Sequence, residues 1–196
     1  MELLQSAQEA IDDLRFSVAL PMLEVLASRK VSESFLHLGY IYKSGGDGVE
    51  VNLEKAKYYY DLYFHAMEAD FKNGNYEAGF RVALAYQFGD GVKKDEKKAV
   101  KILVTCVKHN HAKAQYHLSG LYAHGWCGLK KNQDERLLWL FNAAENNCPE
   151  ALYEVGLIYC DGDDGDKKMG MDFIKRAASL SFFPACDYIN GISGKD

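Results

Sequence analysis

The chain has only three prolines in 196 residues, and Ala, Leu, Lys and Glu occur throughout. Long stretches can therefore continue as helix without a breaker. No apolar run approaches the roughly 20 residues needed to cross a bilayer, and residues 1–4 are followed at once by Gln5 and Ser6. Neither a membrane span nor an export signal is expected, and the expected location is the cytoplasm. Strand-type alternation is missing, and with it any glycine-rich loop set between a strand and a helix. The five cysteines are odd in number and none falls in CxxC spacing, which points away from a disulfide ladder or a zinc site and towards reduced thiols. A surplus of Lys and Arg is also missing. The formal net charge is -5, which argues against nucleic acid as the main ligand and suits a basic protein partner.

What is present is an internal repeat. Four segments carry a small residue, an aliphatic four positions on, a small residue at the fifth, a tyrosine at the eighth and a glycine at the eleventh. They are Ser34/Leu38/Gly39/Tyr42/Gly45, Ala78/Val82/Ala83/Tyr86/Gly89, Ala114/Leu118/Ser119/Tyr122/Gly125 and Ala151/Val155/Gly156/Tyr159/Gly162. These offsets put the marked residues on one helical face. Small residues let a neighbouring helix approach, the tyrosine ring fills the space beside it, and the glycine stands where the helix ends and φ must turn positive. A polar loop follows each glycine, then a second amphipathic stretch, at residues 53–71, 95–108, 134–146 and 167–180. Each repeat reads as an antiparallel helix pair that cannot bury its apolar face without its neighbours.

The segments Leu38-Gly39-Tyr40-Ile41-Tyr42, Tyr86-Gln87-Phe88-Gly89-Asp90-Gly91-Val92, Gly120-Leu121-Tyr122-Ala123-His124-Gly125 and Gly156-Leu157-Ile158-Tyr159 resemble the Sel-one-like repeats, relatives of the tetratricopeptide repeats. Second-helix pieces such as Glu54-Lys55-Ala56, Lys97-Lys98-Ala99 and Lys175-Arg176-Ala177-Ala178 carry the same likeness. The resemblance implies an all-α, right-handed α-solenoid of about four helix-turn-helix repeats, and a role as an adaptor or scaffold with no common catalytic site. The cysteine-rich branch of that family pairs cysteines at positions occupied here by Phe35, Gly79, Gln115 and Leu152, and by Phe64, Val107, Ala144 and Ala178. Its disulfides are therefore not expected. The expected division is a divergent N-terminal capping helix pair at 1–31, repeats at about 32–74, 75–110, 111–147 and 148–181, and a C-terminal capping helix and tail at 182–196.

Several clusters invite chemical readings. Asp161, Asp163, Asp164 and Asp166 alternate with glycines as a calcium loop would, but an EF-hand register would need glycine at Asp166 and an oxygen donor at Gly165. A solvated loop with an aspartate helix cap is the better reading. His109 and His111 lack a third ligand. No nucleophile elbow ties Ser, His and Asp together. No metal, cofactor or catalytic residue is assigned, and the alternative of a hydrolase with a spatially assembled His/Asp site rests on no local signature.

The expected function is protein binding by a chain that is monomeric when free, with no nucleic-acid or membrane partner. The partner is either an adaptor client or a toxin neutralised by a dedicated inhibitor such as an immunity protein. First-helix offsets three, six and ten lie on a stripe beside the repeat face and are expected to line a groove. From these the candidate contacts are His37, Tyr40, Arg81, Leu84, Phe88, His117, His124, Glu154 and Asp161. The first repeat is seven residues longer than the others between its second helix and the next small residue. Its helix is expected to run unbroken to about Lys72, with Met67 and Phe71 either padding the adjacent helix pair or joining Tyr60 and Tyr63 in a further apolar patch at the groove rim.

Overall fold

The computed structural model describes residues 2–193, which form eleven α-helices and no strand. They are α1 (Glu2–Asp12), α2 (Phe16–Ser28), α3 (Ser32–Ser44), α4 (Leu53–Lys72), α5 (Tyr76–Phe88), α6 (Glu96–Lys108), α7 (Ala112–His124), α8 (Gln133–Glu145), α9 (Pro149–Cys160), α10 (Asp164–Ser179) and α11 (Phe183–Ser193). The chain divides into two compact units, residues 1–99 and 100–196.

In the first unit, consecutive helices pack on one another from α1 to α5. Ala7, Ala10 and Ile11 of α1 and Phe16, Ala19, Leu23 and Leu26 of α2 form one core with Leu38, Ile41 and Tyr42 of α3 and Ala56 of α4. The second unit packs α7 on α8, α8 on α9, α9 on α10 and α10 on α11. Its core joins Leu140, Ala143 and Ala144 to Ala151, Leu152 and Val155, then to Ile174, Ala177 and, from α11, Ala185. The repeated small residues Ser34, Ala78, Ala114 and Ala151 are all buried, as are Leu38, Val82, Leu118 and Val155. Close approach is most evident between α9 and α10. A methyl group at Gly170 would lie 2.6 Å from the Gly156 carbonyl oxygen, and one at Gly156 would lie 2.6 Å from Ile174 Cγ1.

The loops show a second periodic device. The residue that opens each of three second helices donates its backbone N–H to the carbonyl of the repeat tyrosine: Asn52 to Tyr42 (2.7 Å), Asp95 to Tyr86 (2.8 Å) and Asn132 to Tyr122 (3.0 Å). The side chain of the same residue caps the helix it opens, accepting from Lys55, Lys98 and Glu135 N–H groups respectively. One residue thus closes the loop and satisfies the orphan donors of the next helix.

The glycine expectation holds at Gly45, Gly89 and Gly125, whose φ values are 64, 83 and 72°, and fails at Gly162. There α9 ends on Asp161 with φ -81°, and α10 starts at Asp164, three residues before the stretch expected from sequence. The three-residue connection leaves no room for the long glycine-started loop. Asp163 caps α10 through Gly165 and Asp166 N–H groups, so the acidic cluster contains a helix cap. His111 caps α7 in the same way, its Nδ1 accepting from Ala114 N–H at 3.1 Å.

Candidate functional site

In the first unit, α3, α4 and α5 carry the groove residues. Two cavities, of about 190 and about 310 Å³, share Leu36, Tyr63 and Arg81. The smaller adds Lys43, Tyr60, Leu84 and Asp90; the larger adds His37, Met67, Asp70 and Glu77 among others. Arg81 is held by Glu77 one turn before it, Nε to Oε1 3.0 Å, and Lys43 Nζ lies 3.7 Å from Asp90 and 5.8 Å from the Tyr60 ring centroid. Burial pushes the Tyr60 and Tyr63 phenols above their ordinary range, and Asp90 adds to the effect at Tyr60. Burial also lowers His37 below its ordinary value, against the opposing fields of Glu33 and Asp12.

Not every candidate gathers there. Tyr40 and Phe88 are exposed and line neither cavity, and Tyr40 packs edge-on against Phe16 at 6.0 Å. Helix α4 does run unbroken to Lys72, but its added turns are not a clear projection. Met67 is only 8% exposed; it forms part of a cavity floor instead of a rim. Phe71 turns towards Tyr76, ring centroids 6.4 Å apart, and lines neither cavity. Two turns beside an intact helix pair find apolar surface to cover, which is why they fold inward.

In the second unit, α7, the turn after it, α8 and α9 enclose a cavity of about 330 Å³. His117, Gly120, His124 and Glu154 all line it, together with Tyr116, Leu121, Trp126 and Arg136. At its mouth the Trp126 indole stacks on His124 at 4.4 Å and 24°, and remains 57% exposed. Behind it Arg136 Nη2 donates to Glu154 Oε1 in a half-buried pair. Burial lowers His117, disfavouring the imidazolium, and burial followed by the Glu154 carboxylate raises the Tyr116 phenol. Asp161 stands exposed at the end of α9 and does not line the cavity.

Sequence reasoning missed Trp126, Arg136 and Tyr116. Trp126 could have been found: it is one of two tryptophans and directly follows a helix-ending glycine. Arg136 offers no such signal, since only the fold brings α8 beside Glu154. Cys148 is no thiolate nucleophile at neutral pH, because burial, with Glu150 accepting at 3.0 Å, pushes its thiol up to about 12. Among the described residues no cluster of His, Cys, Asp or Glu could hold a metal ion, and no helix is long and apolar enough to cross a membrane.

Sequential helix pairs with buried small residues, and clefts lined by the variable first-helix stripe, define a helical-repeat protein. Residues 36–62, 77–103, 112–148 and 149–182 match the Sel1 repeat, and the chain belongs to the Sel1 repeat family. It is similar to chitin synthase regulatory factor 3 of Schizosaccharomyces pombe, 31% identical over 132 residues, covering 66% of this chain and 13% of that protein. It is also similar to the chitin synthase regulator SKT5 of Saccharomyces cerevisiae, 30% identical over 174 residues, covering 83% of this chain and 24% of that protein. The chain thus spans about a quarter or less of the length of these curated relatives. The crystal structure of a Sel1 repeat protein from Oxalobacter formigenes shares the fold, with a TM-score of 0.56 and 23% identity over 92% of this chain and 71% of that one.

Proposed function

We propose that this chain is a non-catalytic protein-binding module that acts as a regulator or adaptor, holding a partner protein in the first-helix clefts of each unit. One observation carries the reading. The repeat residues are spent on burial, while residues at variable offsets of the same helices, Arg81 and Leu84 in one unit and His117, His124 and Glu154 in the other, line open clefts. The names of the related proteins, as regulators of a synthase, support regulation over toxin neutralisation. In this reading residues 1–31 and 182–196 cap four repeats at about 32–74, 75–110, 111–147 and 148–181, and the negative balance of the chain favours a basic partner.

The test is affinity capture with the wild-type chain beside two double variants, Arg81→Ala with Leu84→Ala and His124→Ala with Trp126→Ala. A partner should bind the wild type stoichiometrically and lose at least about tenfold in affinity with one pair, the loss of interface anchors worth roughly 2 kcal/mol. A wild type that holds no stoichiometric partner overturns the function. A partner held equally by both variants overturns the clefts.

A further inference from the structure

The cleft of the second unit has glycine at a first-helix position where the other repeats carry a large side chain. At the sixth first-helix offset the repeats carry Tyr40, Leu84, Gly120 and Leu157. Leu157, in the repeat that follows, packs against the core of its own unit. At Gly120 the corresponding space is open: a methyl group there would meet no heavy atom within 4 Å. Glycine inside a helix is destabilising relative to alanine, and here no close neighbour requires it, unlike Gly156 and Gly170.

Charge decides what fits. Arg136 and Glu154 already neutralise each other, and burial disfavours the charged form of His117. A guanidinium entering the cleft would meet Arg136, and a carboxylate would meet Glu154, each without an uncompensated counter-charge. The mouth instead offers the open side of the Trp126 indole, fixed by its stack on His124. Aromatic rings favour such offset or edge contacts, and aromatic anchors dominate interface pockets. We infer that the Gly120 cleft receives one uncharged aromatic side chain of the partner protein, set in the space left open beside Gly120. This inference rests on the protein-binding reading and adds the chemistry of the anchor.

The test uses a displayed library of random linear peptides selected on the 196-residue chain, with the Gly120→Leu variant as counter-selection. Gly120→Leu fills the cleft with the chain's own side chain and should unfold at the same or a higher temperature. Peptides enriched on the wild type and rejected by Gly120→Leu should share one Phe, Tyr or Trp position. Replacing that residue by Ala, or Trp126 by Ala in the chain, should weaken binding at least about tenfold. Shared Arg, Lys or acidic positions, peptides that bind Gly120→Leu equally well, or no enrichment at this site would each overturn the inference. A stoichiometric partner captured equally by Gly120→Leu would overturn it too while leaving the protein-binding function standing.

Discussion

The Lys98 ammonium lies 4.1 Å above the centroid of the Tyr86 ring and also donates to its hydroxyl. The repeat before it has the same pair, with Lys55 4.7 Å from the Tyr42 centroid and 3.4 Å from its hydroxyl. In both cases the lysine stands three residues after the helix-capping Asn52 or Asp95, whose N–H is bonded to the carbonyl of that same tyrosine. The third repeat has Glu135 at this place, which accepts from the Trp139 indole N–H instead.

A double-mutant cycle with Lys98→Met and Tyr86→Leu should give a coupling of about 0.5–1 kcal/mol, the range for exposed cation–π pairs. The hydrogen bond to Tyr86 raises Lys98 above its ordinary 10.5. The stabilisation is therefore fully present below that value and lost as pH rises through the folded-state value. Chemical denaturation of the four proteins at neutral and at strongly alkaline pH checks both the size and the sign.

Two glycine-to-alanine substitutions in one unit should act in opposite directions. Gly120→Ala enters open space and should stabilise by about 0.4–1 kcal/mol. Gly170→Ala would place its methyl 2.6 Å from the Gly156 oxygen and 2.7 Å from Cys160 Sγ, and should cost about 1–3 kcal/mol by forcing α9 and α10 apart. Thermal midpoints of the two variants against wild type decide it.

Asn132 supports α8 through its side-chain oxygen, which accepts from Asp134 N–H at 3.0 Å and Glu135 N–H at 3.2 Å. Asn132→Ala should cost about 1 kcal/mol, and Asn132→Gly only a few tenths, because glycine suits the capping backbone without the side-chain acceptor. Equal losses in urea unfolding would assign the effect to the loop instead of the cap.

Burial lowers both His117 and His37 below 6.5. Below that value the unfolded chain takes up protons first, so stability should fall as pH drops from about 7 through the folded-state values. His117→Leu should flatten part of this slope. Urea midpoints measured at about pH 7.5 and about pH 5 give the comparison; an unchanged slope would mean that the His117 proton affinity is not shifted by folding.

Legibility from sequence followed the reach of each signal. The repeat faces were readable because burial of Ala114, Leu118 and Ser119 depends on local helical spacing alone. The extent of α4 to Lys72 was readable because no breaker precedes Asn73. Spacing alone leaves open whether Met67 pads its neighbours or joins a rim, since that depends on which surface α3 and α5 leave uncovered. The double role of Asn52, Asp95 and Asn132 combines a local cap with a bond to a carbonyl nine or ten positions earlier, and only the first half has a sequence signature. Gly162 misled because a glycine in register does not reveal that the following helix begins early. At the second-unit cleft, His117, His124 and Glu154 came from periodicity, whereas Arg136 came from the neighbouring helix and was invisible to it.

The clasp between each capping residue and its repeat tyrosine has a consequence for how such a chain can change over time. Loops 45–52, 89–95 and 125–132 are pinned at both ends to the same helix pair, but the first two also press on an earlier helix: Asp47 accepts from the Ser17 N–H and hydroxyl, and a methyl at Gly91 would collide with the Tyr60 carbonyl. Lengthening a flexible loop closed in this way costs only about 0.6 kcal/mol per doubling. The part of the 125–132 turn beyond Trp126, where Gly128 has open space around it, is therefore the port where new sequence can be tried without retuning the repeats. The short 161–163 turn, with its cap directly against α10, offers no such freedom.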